Sequence, residues 1–316
     1  MDEGTGTGRP VAGRGPRVVV GVDGSRDSIA ALRAGEWAAA IHGGTLVAVC
    51  AWTVPTAVPE ALLITPDLEI AARDVLHDAL VHAFHGRCSV PVDTVVRGGR
   101  PASVLVEQAA DAVLVVVGSR GLGGFTGLLM GSVSMGVAAH ANCPVLVMHD
   151  GDVPPAVEDG VIGGRVVVGD GGSAEGAAVI RTAAVAAARM RAELDVLAGW
   201  EDTTVFVDPR VDFRARLRTE AMDRAARDVA AAFPDGRPPR LHVDVREGPA
   251  ARVLVEASRS AALVVVGRSS RREFAGALLG SVALAVAEHA SSPVLVVPAT
   301  TTPPRTRQAE MTTAGA

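Results

Sequence analysis

Residues 113–134 read VLVVVGSRGLGGFTGLLMGSVS. The apolar, mostly β-branched run 113–117 predicts a strand buried on both faces, as in a parallel sheet. A glycine-rich loop follows at once, and residues 133–141 then have the small, apolar composition of a helix packed on a sheet. Strand, loop and helix N-terminus in that order suit phosphate. Glycines let backbone N–H groups approach an anion, and the unpaired N–H groups and positive dipole end of a helix favour negative charge. Ser132 and Ser134 can add hydroxyl donors at the same end. A turn that holds no ligand has the same composition, so the loop alone decides nothing about function.

Outward from this stretch the chain repeats itself. RVVVGVDGS from Arg17 returns as RVVVGDGGS from Arg165, about 148 positions later. Trp52 at the end of TLVAVCAW matches Trp200 at the end of ELDVLAGW. GRPASVLVEQAADAVLVVVG from Gly99 matches GPAARVLVEASRSAALVVVG from Gly248, and FTGLLMGSVSMGVAAHANCPVLVM from Phe125 matches FAGALLGSVALAVAEHASSPVLVV from Phe274. One domain is written twice. In the first copy strands are predicted at 17–22, 45–50, 90–97, 113–117 and 145–148, with helices at 28–41 and 67–84. The second copy repeats the apolar helical stripe at 212–233. Strands that alternate with helices imply parallel sheets with helices on both faces. The expected organisation is a tail at 1–15, a first domain at 16–149, a linker at 150–164, a second domain at 165–298 and a tail at 299–316. Both tails and the linker have the Gly, Pro and polar composition of exposed or disordered chain.

Composition narrows the function classes. The 316 residues carry a formal charge of -5 with 48% hydrophobic residues, an ordinary globular balance with no basic stripe for nucleic acid or an anionic membrane. No lysine is present, which excludes a Walker-type phosphate loop and Schiff-base chemistry. Cys50, Cys88 and Cys143 lie too far apart for a zinc or disulfide pattern and read as apolar fillers. No apolar run is long enough to span a membrane and no signal peptide is recognisable, so a cytoplasmic protein is expected.

The spacing Gly118, Gly121, Gly131, Ser132 resembles the nucleotide-binding signature of the universal stress protein family, in its ATP-binding subgroup. That resemblance implies two tandem doubly wound α/β domains, each a five-stranded parallel sheet of order 3-2-1-4-5. Such an order sets the first and fourth strands side by side and brings Asp23 and Gly118 to one crevice. It further implies ATP, with Mg²⁺ carried by the nucleotide, held by Gly21, Val22, Asp23, Ala51, Gly118, Arg120, Gly121, Gly131, Ser132, Val133 and Ser134. Asp23 would meet the nucleoside, main-chain groups near Ala51 the adenine, and Arg120 the phosphates. Asp23 also fits a turn residue in V-D-G-S with Gly24 left-handed, and Arg120 a solvent-facing arginine. Family members pair through their last strands, so PVLVM from Pro144 and PVLVV from Pro293 are expected to pair within the chain, with a homodimer as the other arrangement.

The second copy departs from the signature. Gly267, Gly280 and Ser281 keep three positions, but Ser270 stands for the second glycine, Arg271, Arg272 and Glu273 follow it, and Gly171 stands where Asp23 is. Asp170 lies one residue earlier, where a strand points to the other face. Little or no ATP binding is expected there. His77, His82 and His85 do not share a helix face and make no metal site; His140, recurring as His289, reads as a structural hydrogen bond. The expected function is a nucleotide-linked stress-response regulator, not an enzyme, with slow ATP hydrolysis left open. The alternatives are an adenylating or ATP-hydrolysing enzyme of related architecture, and an interaction module without nucleotide.

Overall fold

The computed structural model describes residues 15–54, 65–122, 130–149, 151–152, 164–170, 176–201, 213–238, 240–268 and 279–299. The first half runs β1 (Arg17–Gly21), α1 (Arg26–His42), β2 (Thr45–Trp52), α2 (Thr65–Phe84), β3 (Val92–Gly98), α3 (Pro101–Gln108), β4 (Ala112–Gly118), α4 (Ser132–His140) and β5 (Val145–Met148). The second runs β6 (Arg165–Gly169), α5 (Gly176–Met190), β7 (Glu193–Trp200), α6 (Phe213–Ala232), β8 (Leu241–Glu247), α7 (Ala250–Ser258), β9 (Leu263–Gly267), α8 (Ser281–His289) and β10 (Val294–Val297). The predicted tails, most of the linker, Gly123, Gly124 and Gly127, Gly171, and residues 270–273 lie outside the described residues.

Each half has the strand order 3-2-1-4-5, and the two join into one sheet ordered β3-β2-β1-β4-β5-β10-β9-β6-β7-β8. Within a half every pairing is parallel; β5 and β10 meet antiparallel, with Leu146 opposite Leu295. The tandem units thus share a single ten-stranded mixed sheet. Alternation along the strands divides the core between its two faces. Val18, Val20, Leu146, Met148, Leu295 and Val297 face α1, α2, α5 and α6. Val19, Val115, Val145, Val147, Val294 and Val296 face α3, α4, α7 and α8. Both cores run without a break across the join.

Local chemistry fixes the element ends. Ser25 caps α1 by accepting from Ser28 N–H at 3.2 Å, and Gly43 closes that helix at φ 60°. Gly35 lets α1 lie close on β1, because a Cβ there would stand 2.4 Å or so from a Val20 methyl, inside any real contact. The predicted strand at 90–97 begins two residues later, at Val92, because Pro91 has no N–H to give a ladder.

Polar contacts tie the two halves together beside β5 and β10. Arg268 donates to Ala141 O at 2.8 Å, and His149, just past β5, reaches Ala287 O in the last turn of α8 at 2.9 Å. The other ring nitrogen of His149 lies 3.2 Å from Asp152 Oδ2. Both nitrogens therefore face acceptors, an environment that only the doubly protonated ring satisfies. A cation is also favoured at a helix C-terminus. Burial alone would lower the His149 pKa, but the hydrogen bonds to Asp152 and Ala287 O, with the charges of Asp152 and Asp27, raise it above 6.5. A raised folded value means that the contribution to stability is complete below about pH 6.5 and fades as pH rises through the folded pKa. Thermal melts of wild type and His149→Gln between pH 5.5 and 9 are expected to differ most at the acid end and to converge at the alkaline end.

Candidate functional site

The carboxyl ends of β1 and β4 border a cleft of about 460 Å³, at the point where the winding of the first half reverses. All eleven residues singled out from the sequence line it: Gly21, Val22, Asp23, Ala51, Gly118, Arg120, Gly121, Gly131, Ser132, Val133 and Ser134. Val49, Leu105 and Val117 add apolar wall.

Two carboxylates hold the loop after β4 against the start of α1. Asp27, buried in the first turn of α1, accepts from the Ser119 hydroxyl and from Arg120 N–H, each at 2.9 Å. Asp23 accepts from Ser25 N–H at 3.0 Å and, through its other oxygen, from Leu122 N–H at 3.1 Å. Asp23 is therefore a turn residue, with Gly24 at φ 83°, and also a brace for the loop. Ionised oxygens keep further lone pairs, so this bracing leaves room for a ligand hydroxyl. Sequence reasoning passed over Asp27; the signal available was an acid in the first turn behind an N-cap serine, where the helix dipole favours it.

These contacts explain the glycines. A Cβ on Gly118 would stand 2.5 Å from Asp27 Cβ and 2.9 Å from its backbone carbon. A Cβ on Gly121 would collide with Asp23 Oδ2. Gly131 works differently. It is the N-cap of α4 at φ -75°, ψ 152°, and no side chain caps the helix. The N–H groups of Ser132, Val133 and Ser134 are left facing the cleft, since the helical ladder starts with Met135 N–H to Gly131 O at 3.0 Å. Ser134 departs from expectation: its hydroxyl donates to Gly118 O at 2.5 Å, so its backbone, not its side chain, is offered to a ligand. Arg120 is exposed at the rim, and its guanidinium forms no ion pair among the described residues.

The opposite end of the cleft is made of backbone. Val49 O accepts from Val22 N–H at 2.9 Å, where β1 ends. Strand groups repeat their direction every second residue, so Ala51 turns its N–H and C=O to the same side, beyond the last β1 residue. Trp52 points elsewhere and packs on Gly98, while its counterpart Trp200 lies under Arg214 at 5.7 Å. Both are packing residues. His140 Nδ1 lies 2.8 Å from Gly136 O, the structural hydrogen bond expected of it. Burial raises the Cys50 and Cys143 thiols to about 11, with the Asp23 charge adding to the effect at Cys50, so neither is a thiolate at neutral pH.

The corresponding place in the second half has different chemistry. Gly280 caps α8 as Gly131 caps α4, and its N–H reaches Arg268 O at 2.8 Å. Asp170 turns its fully buried carboxylate toward α6, where Arg224 Nε lies 3.2 Å away. Asp228 on the same helix is pushed up to about 7 by burial, by its hydrogen bond with Asp170 and by the Asp170 charge, against the pull of Arg224 and Arg227. With the strands aligned on Arg17 and Arg165 and the helices on Phe84 and Phe233, these three positions are Val22, Val75 and Ala79 in the first half. An acid whose folded pKa is raised costs stability progressively as pH climbs from about 4 to 7. Asp228→Asn is accordingly expected to raise the melting temperature at pH 8 and to leave it unchanged near pH 4. In the first half, Asp27→Ala strands the buried Ser119 hydroxyl and is expected to cost about 1–3 kcal/mol in urea unfolding, with Asp27→Asn milder.

The sequence profile described as Universal stress protein family matches residues 16–149 and again residues 164–298. Universal stress protein Rv2005c of Mycobacterium tuberculosis (strain ATCC 25618 / H37Rv) is 35% identical over 294 residues, covering 88% of this chain and 96% of that protein. Universal stress protein Rv2623 of the same strain is 39% identical over 196 residues, covering 61% of this chain and 63%, less than two thirds, of that protein's length. Among solved structures, a universal stress protein from Archaeoglobus fulgidus DSM 4304 superposes with a TM-score of 0.64 at 18% identity, over 90% of this chain and 98% of that one, a likeness of fold. Among the described residues no helix is long and apolar enough to cross a membrane.

Proposed function

The chain belongs to the universal stress protein family, as a tandem of two such domains, and from that premise we propose that its first half binds ATP and that the protein acts as a nucleotide-linked regulator of a stress response. The observation that carries this reading is the placing of an uncapped helix N-terminus and a free strand edge at opposite ends of one cleft. The N–H groups of Ser132, Val133 and Ser134, with Gly118, Gly121 and the Arg120 guanidinium, suit the phosphates. Ala51 backbone groups suit the adenine edge, between the apolar walls of Val49 and Val117, and Asp23 suits a ribose hydroxyl.

Mg²⁺ would arrive on the phosphates. Among the described residues no group of three or more His, Cys, Asp or Glu is placed to hold a metal ion by itself. Among the described residues the cleft lining offers one carboxylate, Asp23, whose two oxygens each accept a backbone N–H, and no histidine. With its remaining lone pairs on the ribose hydroxyl, Asp23 is not free to take a proton from water, which favours binding over fast turnover. A phosphate cradle can still orient water, which leaves slow hydrolysis as a by-product.

Calorimetric titration of nucleotide-stripped protein is expected to give one ATP per chain. Gly118→Ala, which forces the loop off Asp27, should weaken ATP at least about tenfold. Gly267→Ala, whose new methyl meets only a Val179 side chain at 3.2 Å, should leave it unchanged. Absence of binding by wild type would overturn the reading, and equal losses in both variants would overturn the assignment to the first half. Turnover above about 1 s⁻¹, the floor of ordinary enzymes, would make the protein an ATPase.

A further inference from the structure

A second cavity of about 200 Å³ lies over the middle of the sheet, between α1 and α5 and above the joined strands. Its floor is Leu114, Leu146, Leu263 and Leu295, from β4, β5, β9 and β10. Both halves contribute equivalent positions, Trp37 facing Val185 and Ala38 facing Ala186 across the pseudo-twofold. An apolar cavity of about 150 Å³ is enough for a benzene ring, so this one has room for a ring or a short alkyl chain.

The symmetry breaks at one end. Arg189, in the last turn of α5, stands where the first half has Ile41, and His42, the last residue of α1, stands where the second half has Met190. Arg189 Nη1 lies 2.5 Å from His42 Nε2, and its guanidinium meets no carboxylate among the described residues. Burial, aided by the Arg189 charge, lowers the His42 pKa below 6.5, so the ring is neutral at pH 7 and the arginine charge is uncompensated. A neutral ring is a weak partner that an anion displaces readily.

We propose that this inter-domain cavity binds a small amphipathic carboxylic acid, its apolar body on the leucine floor between α1 and α5 and its carboxylate on Arg189. Charge complementarity selects this occupant. Two helix C-termini meet at Arg189 and would repel an anion, so the arginine is what makes an acid acceptable there. Its loss should reverse the preference between an acid and the matching alcohol.

The test is calorimetric titration of octanoate and 1-octanol into the full chain, with and without ATP, following Trp37 by fluorescence. Wild type should bind octanoate about tenfold more tightly than 1-octanol. Arg189→Met should bind 1-octanol at least as well as octanoate, and Ala186→Phe, which fills the cavity, should bind neither. Failure of wild type to bind either compound would overturn the proposal. So would an acid preference that survives Arg189→Met, or competition by ATP, which would place the acid in the cleft of the first half.

Discussion

Eight residues at the centre of the sheet carry the architecture: β5 and β10, four residues each, pairing antiparallel along their outer edges. An apolar last strand left open is a template for other chains, and this chain closes both openings on itself. The consequence reaches beyond the strands. Leu146 and Leu295 join one core, and Val147 and Val294 the other, so each hydrophobic layer extends through both halves. Burying the edges as a pair also brings Arg268 to Ala141 and His149 to α8, contacts that neither half could form alone.

The cleft of the first half depends on a different kind of constraint, the close approach of the loop after β4 to the start of α1. Asp27 accepts from two neighbours in the loop after β4, Asp23 from its own turn and from that loop, and they can do so only because Gly118 and Gly121 have no side chain. The glycines therefore serve the protein's own carboxylates before they serve any phosphate. A loop braced in this way presents its N–H groups without having to order them on binding. The second half spends its acids differently: Asp170 and Asp228 are drawn together beneath α6, where the first half has Val22 and Ala79.

The repeat and the alternation of elements were legible in the sequence, because each is carried by periodicity or by comparison of the chain with itself; the closing of the last strands upon each other was an expectation that the family resemblance implied. The spacing of Gly118, Gly121 and Gly131 carries the resemblance that named the other candidate residues, and the fold brings all of them to one cleft. What sequence could not supply is the division of labour between side chain and backbone. Ser134 looks like a hydroxyl donor to a ligand until its oxygen is found 2.5 Å from Gly118 O. Asp27 is hidden for a related reason, since its partners Ser119 and Arg120 lie more than ninety residues away and no local pattern ties them together. Arg189 and His42, 147 residues apart, meet only because the two halves share a sheet.

The cavity between α1 and α5 follows from topology. In a 3-2-1-4-5 sheet the α1 and α2 face has two helices for five strands: α1 lies over β1 and β4, and α2 over β2 and β3. The other face is covered out to β5 by α4. Joining two such sheets at their fifth strands sets β5 and β10 side by side between α1 and α5, with β4 and β9 under the inner sides of those helices. Bulky residues could fill the trough, and Trp37 goes part of the way. Its counterpart is Val185, half exposed at 52%, and Ala38 and Ala186 leave the middle open. Duplication with strict symmetry would have produced an uncharged trough; the exchange of one aliphatic residue for Arg189 gives it polarity along its length, which is what an amphipathic ligand can read.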